Sequence, residues 1–317
     1  MKIYVGVTDN DWFYFLSKIA PDEINFWQPG SQSVFKVLKP GELFLFKLHA
    51  PINSIAGGGV FIKYMRLPLS IAWRSFKEKN GVPDFETFFQ KISKYRHAKA
   101  FVEHDPEIGC IMLSNPFFFK PEEYIQVPPD WSPSIVSGKS YLAYEPVGKW
   151  LQEQLEQRLA FINAQLPNTQ EKDALSLSEN ERYGIPYLIN PRIGQGIFRS
   201  LVIDAYKRCC AITGEQTLPV LDAAHIKPYD KSGPHNVKNG LLLRTDIHRL
   251  FDQGLVTLTP DFHVEVSNRI KEEYDNGKEY YKYHGQRMLI IPDEEYERPS
   301  PEFIQWHNEN VFNKVSM

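Results

Sequence analysis

Leu221–Asp252 reads LDAAHIKPYDKSGPHNVKNGLLLRTDIHRLFD, and its reading decides the fold of the C-terminal half. The apolar run VLDAAHI is a short strand that ends at His225. KPYDKSGPHNVKN carries two prolines and a glycine and is a loop. GLLL is a second strand. TDIHRLFD has helical spacing and is stopped at Gly254. The expected unit is strand, loop, strand, helix. Asn239 follows His225 by 14 residues and precedes His248 by nine, and Asp252 stands four beyond His248. That last spacing puts an imidazole and a carboxylate on one helical face, where they can hold a divalent cation. His225, off that face, is free to act as a general base. A neutral imidazole to activate water, and a cation to offset charge on a phosphate, are what phosphodiester hydrolysis requires.

Outward from this stretch, FRSLVIDAYKR upstream is a helix ending at a Cys/Gly turn, and VTLTPDFHVEV downstream is a hairpin. Arg192, Arg199, Lys238 and Arg244 lie near the motif and are candidates to grip backbone phosphates; a solvated charge is the alternative for each. His235, His263, His284 and His307 read as surface or loop histidines, with His235 a further candidate phosphate contact. Three cysteines, Cys110, Cys209 and Cys210, exclude a disulfide framework and a four-cysteine zinc site within one chain. Cys209-Cys210 has no second pair, so no structural zinc is expected and all three read as core.

The N-terminal part contains strand-like runs (KIYVGVT, ELFLFKLH, GGGVFIKYMRL, GCIMLSN) and helical ones (LSIAWRSFKEKN, DFETFFQKISKYRHA). The expected fold is α+β, a small curled barrel with helices. Pro121, Pro128-Pro129, Pro133 and Pro146 then mark a boundary. Leu151, Leu155, Leu159, Ile162 and Leu166 form one stripe on a helix over 149–166, which either packs on a domain or joins two copies. The expected organisation is a recognition domain over 1–120, a Pro-rich linker and connecting helix over 121–180, and a catalytic domain over 181–317. Net charge is −3, yet residues 1–120 balance to +4 and Arg192–Arg249 to +4, with the acidic excess in the linker and tail. Such faces suit phosphate contact without requiring it. No apolar run approaches the roughly 20 residues of a membrane helix. The opening MKIYVGVTDNDWFYF does not resemble an export signal, so a cytoplasmic protein is expected.

The segment Tyr183–Asn268, with its A-A-H-I strand, N-G-L turn and H-R-L-F-D close, resembles the HNH (ββα-metal) nucleases. The resemblance implies that His225 is the base and that Asn239 fixes the hairpin loop or reaches the metal. It makes His248 and Asp252 ligands of one divalent ion, Mg²⁺, Mn²⁺ or Ni²⁺. Many members carry a ligand directly before the base. Here that residue is Ala224, and Asp222 is the candidate substitute.

The stretch VGVTDNDWFYFL…DEINFWQPG…LKPGELFLFKL…SIAGGGVFIKY…LSIAW resembles EVE domains of the PUA-like superfamily, whose YTH relatives hold a modified base in an aromatic cage. By that resemblance Trp27, read as ending a polar turn, and Trp73 are cage walls, and Asn25 or Asp22 reads the base edge. A flipped base needs such stacking and edge bonding; core burial is the alternative for either Trp. Gly57-Gly58-Gly59 allows close approach to a ligand, or forms a bulge.

Together the two halves resemble modification-dependent (type IV) restriction endonucleases. The expected substrate is double-stranded DNA bearing 5-hydroxymethyl- or 5-methylcytosine, and the expected assembly is a homodimer, since one such site cuts one strand. The alternatives are a nickase or nuclease whose first domain reads modified RNA or DNA shape, and a non-catalytic reader.

Overall fold

In the computed structural model, which describes residues 1–30, 34–96, 104–165 and 193–312, the alternating KIYVGVT forms strand β1 (Lys2–Thr8). Asp9 caps helix α1 (Asn10–Ile19), its carboxylate accepting from the Trp12 amide at 2.8 Å. Strands β2 (Glu23–Gln28), β3 (Leu43–Leu48) and β4 (Ser54–Pro68) follow. Helix α2 (Leu69–Phe76) runs into a 3-10 turn, Lys77–Asn80. Asp84 caps helix α3 (Phe85–Tyr95), accepting from the Thr87 amide at 2.7 Å. Strands β5 (Glu107–Phe118), β6 (Ile125–Gln126) and β7 (Gly138–Leu142) and helix α4 (Pro146–Gln165) complete the first unit, which spans Met1–Arg192.

Its sheet runs β2-β5-β4-β3-β1-β7, with β6 beside β4. β1 and β3 pair in parallel, the other neighbours antiparallel. β3 explains why both faces are covered. Its sequence LFLFKL is buried throughout. Leu43 and Leu45 point into one core with Ile3, Val5 and Tyr141, whereas Phe44, Phe46 and Leu48 point into the other with Trp12, Phe13 and Leu16. A strand buried on both faces cannot show apolar/polar alternation.

Two expectations are corrected here, and one pair of alternatives is narrowed. The pairing of described strands does not close into a barrel; β2 and β7 are its edges. The Pro-rich stretch is not a linker: β6 and β7 pair with β4 and β1, and α4 lays Leu151, Leu155 and Leu159, all fully buried, into the Ile3/Leu43 core. The stripe is therefore satisfied within its own unit, while Ile162 and Leu166 lie outside the residues described at side-chain level. Of the two readings of Gly57-Gly58-Gly59 the structure favours the bulge: a Cβ at Gly58 would stand 2.7 Å from the Phe44 carbonyl, and the β4 register shifts beside it. The run is a bulge that lets strands close up.

The second unit, Ile193–Met317, contains helix α5 (Gln195–Ala205), strands β8 (Leu221–His225) and β9 (Gly240–Arg244), helix α6 (Thr245–Asp252), the hairpin β10 (Val256–Leu258) and β11 (Val264–Val266), and helices α7 (Arg269–Tyr274), α8 (Lys278–Tyr281) and α9 (Pro301–His307). β8 and β9 pair from Leu221↔Arg244 to His225↔Gly240. α5 packs so closely that a Cβ at Gly240 would meet Val202 at 2.5 Å. His307, expected on the surface, is 2% exposed. Its ring stacks on Phe251 at 3.8 Å, its Nε2–H donates to the Phe251 carbonyl at 3.0 Å, and Nδ1 meets Thr257 Oγ1 at 2.8 Å. It ties α9 to α6 and β10. Among the described residues no helix is long and apolar enough to cross a membrane.

Leu155→Ala is expected to cost about 2–5 kcal/mol through the cavity it leaves, lowering the thermal midpoint while light scattering reports an unchanged mass. A changed mass with an unchanged midpoint would place the stripe at an interface between copies.

Candidate functional site

His225 ends β8, and β8 and β9 are joined by a loop that one side chain closes. Asn239 is fully buried. Its Oδ1 accepts from the Lys227 amide at 2.8 Å, and its Nδ2 donates to the carbonyls of Lys227 at 2.9 Å and Pro234 at 3.0 Å. The asparagine thus holds the loop at both ends. Because the Pro234 carbonyl is pinned, the next residue, His235, is brought against the base: its Nδ1 lies 3.0 Å from His225 Nε2. Phe198 of α5 stacks on His225 at 4.0 Å and 15°, and Tyr229 stacks on His235 at 4.4 Å and 11°. Burial first, then His235 and His248, push the His225 imidazole down to about 4. It is neutral at pH 7 and offers a lone pair.

The other functional groups gather on β8 and α6. The His248 ring lies between two carboxylates, with Nδ1 3.6 Å from Asp222 and Nε2 3.4 Å from Asp252. Asp222 and Ala224 share one side of the strand by its period of two. Ala224 is fully buried, so Asp222 is the strand residue whose donor reaches this cluster. Burial raises the Asp252 carboxyl above its ordinary range, His248 opposes the rise, and Asp222 adds to it. Two carboxylates and an imidazole are a donor set suited to a hard or borderline divalent ion. In the present arrangement the donor atoms do not converge: no group of three or more His, Cys, Asp or Glu among the described residues is placed to hold a metal. The reason is geometric. An imidazole gives one nitrogen to a given ion, and His248 turns a different nitrogen to each carboxylate.

The structure places the remaining candidates elsewhere. Arg199 does not face outward. It stands behind the site, 3.7 Å from Asp222 Oδ1 and donating to the Leu221 carbonyl at 3.0 Å. Arg244 forms a two-bond pair with Asp246 at 2.7 and 2.8 Å. Lys238 is exposed. Arg192 lies outside the described residues. Cys209 and Cys210 are buried, and Cys210 Sγ accepts from the Thr213 and Arg244 amides at 3.5 and 3.3 Å.

In the first unit Trp27 does not end a turn; it sits within β2, half-buried, donating from its indole to the Asn80 carbonyl at 2.9 Å. Trp27 and Trp73 both pack on Phe88, at 5.7 and 6.3 Å. Asn25 is fully buried and donates to Asn80 Oδ1 at 2.9 Å, so it presents no edge to solvent. Asp22 is exposed and pairs with Lys79 at 2.6 Å. Phe198 is the residue that the sequence reading did not single out, while His235 and Arg199, read as candidate phosphate contacts, stand against His225 and Asp222 instead. The one usable signal was Gly-Pro-His just before Asn239, a turn that a pinning asparagine would carry back toward β8.

Asn239→Ala removes three loop contacts and strands buried backbone groups, an expected loss of about 2–4 kcal/mol measurable by denaturant unfolding. A second expectation concerns pH. His225 and His307 are each held down to about 4, in His307 by burial against an opposing bond to Phe251. Unfolded, both take up protons near 6.5. Their contribution is therefore complete above about pH 6.5 and is lost as pH falls toward 4. Calorimetry of the whole chain should show that acid decline, reduced in His307→Gln.

No curated protein matches the sequence. Among solved structures, the chain resembles a mutant ZmASCH protein from Zymomonas mobilis with 9% identity and a TM-score of 0.34, over 49% of this chain and 99% of that one. It also resembles the modification-dependent TagI restriction endonuclease with 13% identity and a TM-score of 0.29, over 92% of this chain and 75% of that one. Likeness at that level defines neither fold nor activity. A family model described as HNH endonuclease matches residues 210–259, the stretch that contains Asp222, His225, Asn239, His248 and Asp252, and this part of the chain is an HNH endonuclease domain.

Proposed function

We propose that the protein is a modification-dependent DNA endonuclease. The observation that carries this reading is the placement of His225 at the end of β8, in the same ββα unit as the Asp222–His248–Asp252 cluster; the HNH match over 210–259 supports it. Asp222, His248 and Asp252 would hold one divalent ion, which when bound supplies positive charge against the phosphate and the leaving oxygen. The chain's own residues do the rest. His225 takes a proton from water, the water oxygen forms a bond to phosphorus, one ester P–O bond breaks, and the leaving oxygen takes up a proton from solvent. Phe198 holds the His225 ring by stacking, and Asn239 holds the loop that frames it. Arg199 balances the charge of Asp222 from behind.

The first unit is the proposed reader of a modified cytosine, 5-hydroxymethyl or 5-methyl, in double-stranded DNA. The half-buried indoles of Trp27 and Trp73 are the proposed stacking surfaces. Asn25 drops out as an edge reader because it is locked on Asn80, and Asp22 remains the exposed polar neighbour. Two copies acting together would cut both strands.

The test is cleavage of one fragment prepared with cytosine, 5-methylcytosine, 5-hydroxymethylcytosine or glucosylated 5-hydroxymethylcytosine, each with Mg²⁺, Mn²⁺ or Ni²⁺. Cutting should be confined to modified DNA and fall about 10²–10⁴-fold in His225→Ala. The divalent ion should raise the thermal midpoint of the native chain but not that of His248→Ala. Equal cutting of all four fragments would keep the nuclease and remove the reader. Absence of cutting with every ion would remove the nuclease and favour the non-catalytic reader.

A further inference from the structure

We infer that His235 is a positioning residue for His225, which accepts the His225 Nε2–H and so fixes the base in the tautomer whose Nδ1 carries the lone pair. This rests on the nuclease reading above. His225 Nε2 and His235 Nδ1 are 3.0 Å apart, and a single hydrogen occupies that bond. Two arrangements are available. If His235 donates, His225 must carry its own hydrogen on Nδ1. Both of its nitrogens are then occupied, and it has no lone pair for water. If His225 donates, Nδ1 is left open. Among the described residues no hydrogen bond engages that Nδ1. When it takes the proton of water, the resulting imidazolium still has its Nε2–H held by His235, so the ring need not turn during the reaction.

The surroundings hold this pair in place. Phe198 lies under His225 and Tyr229 under His235, at 4.0 and 4.4 Å, so each ring has a flat partner that sets its plane. The planes of the two imidazoles meet at 56°. His235 cannot drift along the loop, because Asn239 anchors the Pro234 carbonyl beside it. A base oriented by a second group through its other ring nitrogen is a general catalytic arrangement. Here the orienting group is a neutral acceptor rather than a carboxylate, so it selects the tautomer without adding a charge that would raise the basicity of His225.

The test uses the whole chain labelled with ¹⁵N-histidine. Long-range ¹H–¹⁵N correlation should show His225 as the Nε2–H tautomer in the native protein, and as a mixture in His235→Phe, which keeps an aromatic ring against Tyr229. In single-turnover cleavage, His235→Phe should be slowed about 10–100-fold, by analogy with the loss of groups that orient metal-binding histidines, with DNA affinity changed less than about twofold. His235→Asn, whose Oδ1 occupies the place of Nδ1 and only accepts, should recover most of the rate. An Nδ1–H tautomer in the native protein would overturn the inference. So would native-like cleavage by His235→Phe, or an Asn variant no better than Phe. If the native protein cuts no DNA, the nuclease reading falls, and the tautomer alone still decides the assignment of the hydrogen.

Discussion

Asn239 donates two hydrogen bonds and accepts one, all with the backbone of the loop that joins β8 to β9, and it does so without exposure to water. A buried amide with its groups paired in this way is costly to disturb. Much else follows from it. The Ile226 amide donates to the Asn239 carbonyl at 2.9 Å, so the strand end that carries His225 is fastened to the same residue. Pinning Pro234 delivers His235, and holding Lys227 sets the chain direction beyond the base. The asparagine is therefore the structural centre of the site, and it reaches none of the groups that would hold a cation.

The second constraint is charge. Asp222 and Asp252 stand on either side of His248, and Arg199 lies behind Asp222. Burial is the main reason the Asp252 carboxyl is raised, and the like charge of Asp222 adds to it. A divalent cation would relieve that repulsion, and Arg199 and His248 relieve part of it in the present arrangement. α6 carries the two ligand candidates of this cluster that lie on a helix. It is held from below by His307, which bonds the Phe251 carbonyl and stacks on the Phe251 ring. Support from α9 thus reaches the site through one buried histidine.

In the first unit the organising element is β3. Its five apolar residues serve two cores at once, which forces cover on both faces of the sheet. α1 contributes to one core and α4 to the other. Removing residues after 120 would strip β6, β7 and α4 from the Ile3/Leu43 core, so the Pro-rich stretch is structural. The network Asn25–Asn80–Trp27 joins β2 to the turn after α2 and leaves part of the Trp27 ring on the surface, edge-on to Phe88 and tilted against Tyr95.

What the sequence by itself determined was local order. The strand, loop, strand, helix succession of Leu221–Asp252 was legible because each element has its own period and its own stop. The i, i+4 spacing of His248 and Asp252 put them on one face for the same reason. Resemblance added roles to those positions. Tertiary structure alone decided what depends on loops and distant segments. It brought His235 to His225, set Arg199 against Asp222 and paired Arg244 with Asp246. It buried Asn25, His307 and the Leu151–Leu159 stripe, and it placed β7 beside β1. None of these has a periodic signature. Each follows from a closure, such as the three bonds of Asn239 or the two-sided burial of β3, that exists only once separated segments have packed.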